Sequence, residues 1–281
     1  MEAEELTLRP VRPADRDRVS EITATTFGGD DYVPSRFDDW VADPASTFQA
    51  AELDGVLVGF HRLRPIGRGL LLYEGMRVDP ERQGQGIGRS MLAAAIDESR
   101  QQGFREMRLI TANPRALRLF EMAGFQRRAE LTSWRAGRIE GGDPARVPSA
   151  QEAIRLAAQV RGDPAFPLYG GVSNYWQAPV DLDDDHFREL AEQGLLRVNG
   201  GAVAGLSPIR TDRVGVNFVF GSGAALQDLL TALRFEADAD GMAGVWVATP
   251  PEHPAADDFR AVGYDLAIDS RFYICALELR D

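Results

Sequence analysis

Three glycines at alternate positions, Gly84, Gly86 and Gly88, punctuate the run Arg82 to Gly88, RQGQGIG. Without a Cβ they admit left-handed backbone and let main-chain N–H groups approach a bound group closely. Behind them, Gln85 to Gln102 sets Ile87, Met91 and Ala95 on one stripe with Leu92 and Ile96 beside it, which is helical spacing. Ahead of them, Leu70 to Val78 is apolar and β-prone and stops at Asp79-Pro80. Strand, glycine loop and helix start aim unpaired amides and the positive end of a helix dipole at one spot, which makes an anion cradle.

The spacing narrows the anion. A dinucleotide fingerprint requires G-x-G-x-x-G, and here the third glycine comes one residue early. A P-loop requires Gly-Lys-Ser/Thr, and the chain contains no lysine. The pattern Q/R-x-x-G-x-G/A is met by Gln83, Gly86 and Gly88, although a tight turn before a surface helix would carry the same residues. A second segment follows 25 residues after Gly88: Asn113-Pro114 pairs an N-cap with proline at the first helical position, and Gly124-Phe125 closes that helix.

With Asn113, Ala116, Leu119, Phe120, Gly124 and Phe125 in place, the chain resembles the GNAT family of acyl-CoA-dependent N-acyltransferases over roughly residues 6 to 135. The resemblance implies acetyl-CoA as co-substrate, its pyrophosphate held by the loop from Arg82 through Gln83, Gly84, Gln85, Gly86, Ile87 and Gly88 to Arg89. It implies a thioester carbonyl held by backbone N–H of Met76 or Arg77, with Val78 pairing to the pantetheine amides and Asn113 and Phe120 completing the cofactor site. Arg82 and Arg89 would balance phosphate charge. Amine acylation needs a base to remove the ammonium proton, and the resemblance points to Glu74, a carboxylate within the apolar strand LLLYEGMRV, whose bland alternative is an edge-strand side chain facing solvent. One departure is chemical: the tyrosine that often protonates the leaving thiolate in the family is Phe120 here. Tyr73 and Tyr32 could substitute but read more naturally as core and loop aromatics, and Asp30 and Asp31 as loop residues.

Length and composition bound the rest. At 281 residues the chain suggests two domains, on a prior of about 100–200 residues each. Without lysine there is no PLP Schiff base. The net charge of −12 is uneven: residues 1–140 hold 20 arginines against 22 acids, and 141–281 hold 11 against 21. Such a surface disfavours nucleic acid and anionic membranes and favours a cationic acceptor. Cys275, alone in an apolar run, reads as a buried strand residue, and the scattered His61, His186 and His253 predict no metal site. The acidic start MEAEEL and the lack of a long apolar run predict neither a secretory signal nor a membrane span, so a cytoplasmic protein.

Taken in order, the first part predicts a strand at Leu6–Arg9, a helix from Pro13 to Phe27 with Val19, Ile22 and Ala24 inward, and a second helix about Phe37 to Val41. A hairpin follows around Asp54-Gly55, then the Leu70–Val78 strand, the long helix ending at Gly103, and a parallel strand containing Met107, Leu109 and Thr111. After Gly141 to Pro144 the order repeats: helices from Ser149 and Asp183, a hairpin at Asn199-Gly200-Gly201, a strand to Phe220, a leucine-rich helix and a strand to Thr249. Phe259 to Tyr264 echoes Phe120 to Phe125 at an offset of 139. The expected fold is α/β with an α+β mixed sheet: two tandem GNAT-like domains, 1–140 acetyl-CoA-binding and catalytic and 145–281 degenerate with a structural or substrate-pocket role, each a mostly antiparallel mixed sheet with flanking helices. The copy keeps only Gly221-Ser222-Gly223 for its loop and has Thr249-Pro250-Pro251 where an Asn113 counterpart would stand. The function expected is acetyl transfer to a primary amine of a small molecule or peptide by direct attack in a ternary complex. The alternatives are a non-catalytic acyl-CoA-binding or scaffolding protein that has lost the family's general acid, and a longer acyl donor, with the acceptor and the oligomeric state left open.

Overall fold

The computed structural model describes residues 6–173, 178–209 and 211–280. The acidic start, residues 1–5, lies outside the described residues. The chain forms two compact units that interleave in sequence: the first holds residues up to Leu109, Arg118–Gln126 and those from Ala276 onward, and the second holds Ile110–Leu117 and Arg127–Cys275. These units cross the sequence spans 1–140 and 145–281, because strand pairing rather than a single cut in the chain decides which residues pack together.

The first unit opens with β1 (Leu6–Pro10), α1 (Arg16–Thr23) and α2 (Val33–Ala42). A short 3-10 turn at Pro13–Asp15 precedes α1, so the expected Pro13–Phe27 helix is shorter at both ends. Val19 and Ile22 face inward as the spacing requires, but the third inward residue is Thr23 and Ala24 is exposed. Positions 19, 22 and 23 share one helical face, whereas residue 24 is already the C-cap. Strands β2 (Thr47–Leu53) and β3 (Val56–Pro65) join through Asp54 and Gly55, both at positive φ (52° and 77°), as a two-residue hairpin demands. Then come β4 (Leu70–Val78), α3 (Ile87–Gln101), β5 (Glu106–Thr111), whose last two residues are counted in the second unit, and α4 (Pro114–Met122), counted in the first unit from Arg118. The sheet runs β1-β2-β3-β4-β5, antiparallel except for the parallel β4–β5 pair that the α3 crossover produces. The chain's last residues return to this unit, where Leu279 N donates to the Arg105 carbonyl at 2.9 Å.

Each sheet face is covered by helices carrying an apolar stripe. On one face Ile22, Val33, Phe37 and Trp40 from α1 and α2 pack on Phe48, Ala50 and Phe60. On the other, Ile87 and Met91 of α3 pack on Ala51, Val58, Met76 and Val78.

The second unit contains β6 (Gln126–Gly137), α5 (Ala150–Val160), the two-residue strands β7 (Val172–Ser173) and β8 (Val180–Asp181), α6 (Asp184–Glu192), β9 (Leu196–Asn199) and β10 (Ala202–Leu206). It continues with β11 (Arg213–Phe220), α7 (Gly223–Ala239), β12 (Gly244–Thr249), α8 (Ala256–Ala261) and most of β13 (Asp265–Glu278). Its sheet repeats the first: β9-β10-β11 antiparallel, β11–β12 parallel through the α7 crossover, then β6 antiparallel to β12 from Gly137 opposite Gly244 to Thr132 opposite Thr249. Ser149 caps α5 by accepting from Glu152 N, and Leu226, Leu229, Leu230 and Leu233 are all buried on α7. Cys275 is buried in β13. Each unit is thus a mixed, mostly antiparallel sheet with flanking helices, the expected fold class.

Candidate functional site

The site of the first unit begins with a defect in the β3–β4 ladder. Arg62 faces Glu74 and Phe60 faces Arg77, so one residue of β3 stands opposite two of β4, Gly75 and Met76. This is a β-bulge, and Gly75 takes φ 67° with Trp40 so close that an added Cβ would stand 2.8 Å from the indole. The bulge re-phases the strand. Glu74 and Arg77 meet partners from the α2 side, while Met76 and Val78 join the α3 cluster.

A second irregularity opens the sheet. β4 pairs with β5 only where Leu70, Leu71 and Leu72 meet Glu106, Met107 and Arg108. Among the described residues, β4 from Tyr73 to Val78 is paired on the β3 side alone. The main chain along this stretch forms one wall of a wedge whose apex is the end of the Leu72–Arg108 pairing.

The wide end of the wedge meets the glycine loop. Asp79 N donates to Val58 O at 2.8 Å, and its carboxylate accepts from Glu81 N and pairs with Arg18, which anchors the strand end. Gln83 Nε2 donates to Val78 O at 3.2 Å. Gly84 and Gly86 take φ 85° and 88°, and a Cβ on either would meet nothing within 4 Å. The glycines there serve the left-handed backbone and leave the space in front of it open. Gly86 is the N-cap of α3 and offers no side chain to the first-turn amides, and no acid stands in that turn. Those amides therefore face an open, electropositive mouth. At Gly88 a Cβ would make ordinary contacts of 3.6 Å with Leu119 and Val78, which is why the pattern tolerates alanine there. Arg82, Gln83, Gln85 and Arg89 are exposed around the mouth, Ile87 is buried beneath it, and Arg82 and Arg89 enter no ion pair among the described residues.

Glu74 is half-buried and bonded. Its Oε1 accepts from Arg62 Nη1 at 3.0 Å and Arg64 Nε at 2.8 Å, while Oε2 accepts nothing among the described residues. Arg62 also pairs with Asp43 and lies over the Trp40 ring at 4.9 Å. Hydrogen bonds from Ala45 N, Ser46 Oγ and Arg62 hold the Asp43 carboxyl below the usual carboxylate range. Asp31 is tied down by Arg77 at 2.6 Å and accepts from Val33 N, and Asp30 is exposed. In the segment counted with the second unit, Asn113 caps α4, its Oδ1 accepting from Arg115 N at 2.9 Å and Ala116 N at 3.3 Å. Phe120 is buried edge-on to Tyr73 at 6.0 Å and tilted on Phe125 at 5.7 Å.

One pair escaped the sequence reading. His61 of β3 stacks on Tyr73 of β4 with ring centroids 5.1 Å apart, and both are buried. Neither His61 nitrogen nor the Tyr73 hydroxyl has a hydrogen-bond partner among the described residues. Burial pushes His61 down to about 4 and Tyr73 up. A histidine and a tyrosine on strands joined by a short hairpin were a weak signal, since the bulge sets which residues share a face.

The corresponding place in the second unit is filled by the chain itself. β11 and β12 pair from Arg213–Gly244 to Val216–Val247, and beyond that the Tyr169 hydroxyl accepts from Val219 N at 3.2 Å and donates to Ala248 O at 3.1 Å. A His253 ring nitrogen stands 3.3 Å from Val219 O. At the loop, Gly221 N donates to Asp163 and Gly223 N to Asp258, both at 2.8 Å. Two carboxylates thus occupy amides of the kind that the first unit leaves open.

Among the described residues no group of three or more His, Cys, Asp or Glu is placed to hold a metal ion, and no helix is long and apolar enough to cross a membrane. Residues 17–125 match the family model described as acetyltransferase (GNAT) family. N-alpha-acetyltransferase RimI of Mycobacterium tuberculosis is 35% identical over 130 residues, 45% of this chain and 82% of that protein. Mycothiol acetyltransferase of Clavibacter sepedonicus is 38% identical over 86 residues, and there the match spans only 28% of that protein and 30% of this chain. A solved tandem GNAT protein from the clavulanic acid biosynthesis pathway superimposes with TM-score 0.54 at 16% identity, covering 99% of both chains, a likeness of fold.

Proposed function

Because the chain belongs to the acetyltransferase (GNAT) family and is therefore an acyl-CoA-dependent N-acyltransferase, we propose that its first unit moves acetyl from acetyl-CoA to a primary amine of a small molecule or peptide. The observation that carries this reading is the wedge of β4 main chain leading from the open amides at Gly84 to Arg89 down to Tyr73. Acetyl-CoA supplies an activated acyl carbon and a thiolate leaving group. The α3 mouth and the neighbouring Arg82 and Arg89 suit its diphosphate, and Val78 suits its amides. N–H of Met76 or Arg77 polarises the carbonyl, Asn113 holds the start of α4, and Phe120 packs behind the wedge without a proton to give. Glu74 uses Oε2 as the base that takes the ammonium proton, and the amine attacks directly with both substrates bound. The net negative charge favours a cationic acceptor.

Incubation with acetyl-CoA and a panel of amines, with titration of released thiol, tests the reading. Amine-dependent release supports it, and binding without release across the panel contradicts it. Glu74→Gln keeps an oxygen for Arg62 and Arg64 but removes the base, so turnover is expected to fall about 10²-fold with the acetyl-CoA dissociation constant within about twofold. Unchanged turnover removes Glu74 from the mechanism.

The second unit is proposed as a non-catalytic copy, because Tyr169, Asp163 and Asp258 take the main-chain positions a cofactor would need. Calorimetric titration is expected to give one acetyl-CoA site per chain, and two sites would contradict this assignment.

A further inference from the structure

The Tyr73 hydroxyl has no structural explanation. A buried polar atom without a partner loses its hydration and gains nothing in return, so a residue differing only by that oxygen, phenylalanine, would suit a core position better. Its place in the fold is specific. Tyr73 is the first residue of β4 beyond the last pairing with β5, at the apex of the wedge. Its ring meets Phe120 of α4, whereas Glu74, next in the strand, bonds Arg62 on the opposite face beside Trp40. The phenol thus stands on the α3–α4 side, at the end of the wedge farthest from the glycine mouth. His61 stacks on its other side and fixes the ring, and being neutral at working pH it sets no charge there.

We propose that Tyr73 is the group that receives the leaving sulfur, its hydroxyl donating a hydrogen bond to the thiolate as the carbon–sulfur bond breaks. This rests on the acetyl-transfer reading of the first unit. Glu74 takes the ammonium proton before attack, the amine nitrogen bonds to the carbonyl carbon, the carbon–sulfur electron pair stays on sulfur, and the nitrogen's second proton leaves to water as the amide forms. Tyr73 keeps its proton throughout, and the thiolate takes one from water on release. Burial raises the phenol, which keeps it a donor across the working pH range and makes it a poor proton-transfer acid. The role is electrostatic stabilisation of a charge that develops in a dry apex.

The test is Tyr73→Phe, which keeps the ring and deletes the unpartnered oxygen. Three readouts are taken: melting temperature of the free chain, kcat and KM for acetyl-CoA, and acidity of the CoA thiol when bound, followed by thiolate ultraviolet absorbance. Expected are a melting temperature unchanged or higher, KM within about twofold, and kcat lower by about 10- to 100-fold, the equivalent of one hydrogen bond to a charged group. The bound thiol is expected to become less acidic by about one to two pH units. Equal kcat and equal thiol acidity overturn the proposal and leave the transfer reading standing. A lower kcat with unchanged thiol acidity also overturns it, since Tyr73 would then act by position alone. If the unaltered chain binds no CoA, the transfer reading falls and this proposal falls with it.

Discussion

Gly86→Glu is expected to raise the dissociation constant of acetyl-CoA by at least about a hundredfold, measured by calorimetry. Gly86 sits at φ 88°, where a residue with a Cβ loses about 1–2 kcal/mol, and its missing Cβ faces open space directly before the first amides of α3. A carboxylate there fills the mouth with the wrong sign of charge and competes for the amides that a diphosphate would use. About 3 kcal/mol of lost affinity corresponds to the hundredfold change. The matched control is Gly223→Glu. Gly223 begins α7 at φ 63°, also with nothing within 4 Å of an added Cβ, so the local backbone strain is comparable. That change is expected to lower stability slightly and leave acetyl-CoA affinity intact. Equal loss from both substitutions would mean that the glycine loops act only on stability.

Gly75→Ala is the second large effect, on stability. Its added Cβ meets the Trp40 ring at 2.8 Å while the backbone holds φ 67°. Overpacking and left-handed strain cost about 1–3 kcal/mol each, so a loss of about 2–6 kcal/mol is expected in urea unfolding. The bulge also decides that Glu74 and Arg77 share one side while Met76 and Val78 take the other. A variant that relieves the clash by straightening β4 would therefore lose turnover even where it stays folded. Wild-type stability with full turnover would show that the bulge places nothing the reaction needs.

Local chemistry accounts for what could be read ahead of the structure. The bounds of β4 follow from an apolar run closed by Asp79-Pro80, the α4 cap from Asn113-Pro114, and the parallel β4–β5 pair from the length of the crossover. Each depends on residues close together in the chain. What escaped depends on residues far apart. A glycine inside a strand signals a bulge or a close neighbour, but only Trp40, 35 positions earlier, shows why Gly75 is needed. The lost leading residues at Gly221-Ser222-Gly223 pointed to a degenerate copy, yet nothing local indicated that Asp163, Asp258 and Tyr169 would take the free main-chain groups. The return of the chain end to Arg105, and β6 pairing with β12, are choices of strand partner that periodicity does not encode. The charge state of the site was hidden for the same reason: Glu74 shows as a lone acid in LLLYEGMRV, and its two arginines come from the neighbouring strand.

The central claim is that open main-chain amides at one loop grip a nucleotide thioester, while the loop at the matching place in the second unit is closed by carboxylates of the chain itself. A crystal structure grown with acetyl-CoA measures this directly. The account predicts one molecule per chain, its diphosphate within hydrogen-bond distance of the amides between Gly84 and Arg89 and its thioester beside Tyr73, with Asp163 and Asp258 still bonded to Gly221 and Gly223. Density for the diphosphate at Gly221–Gly223, or a ligand elsewhere with the Gly84–Arg89 amides untouched, would contradict it.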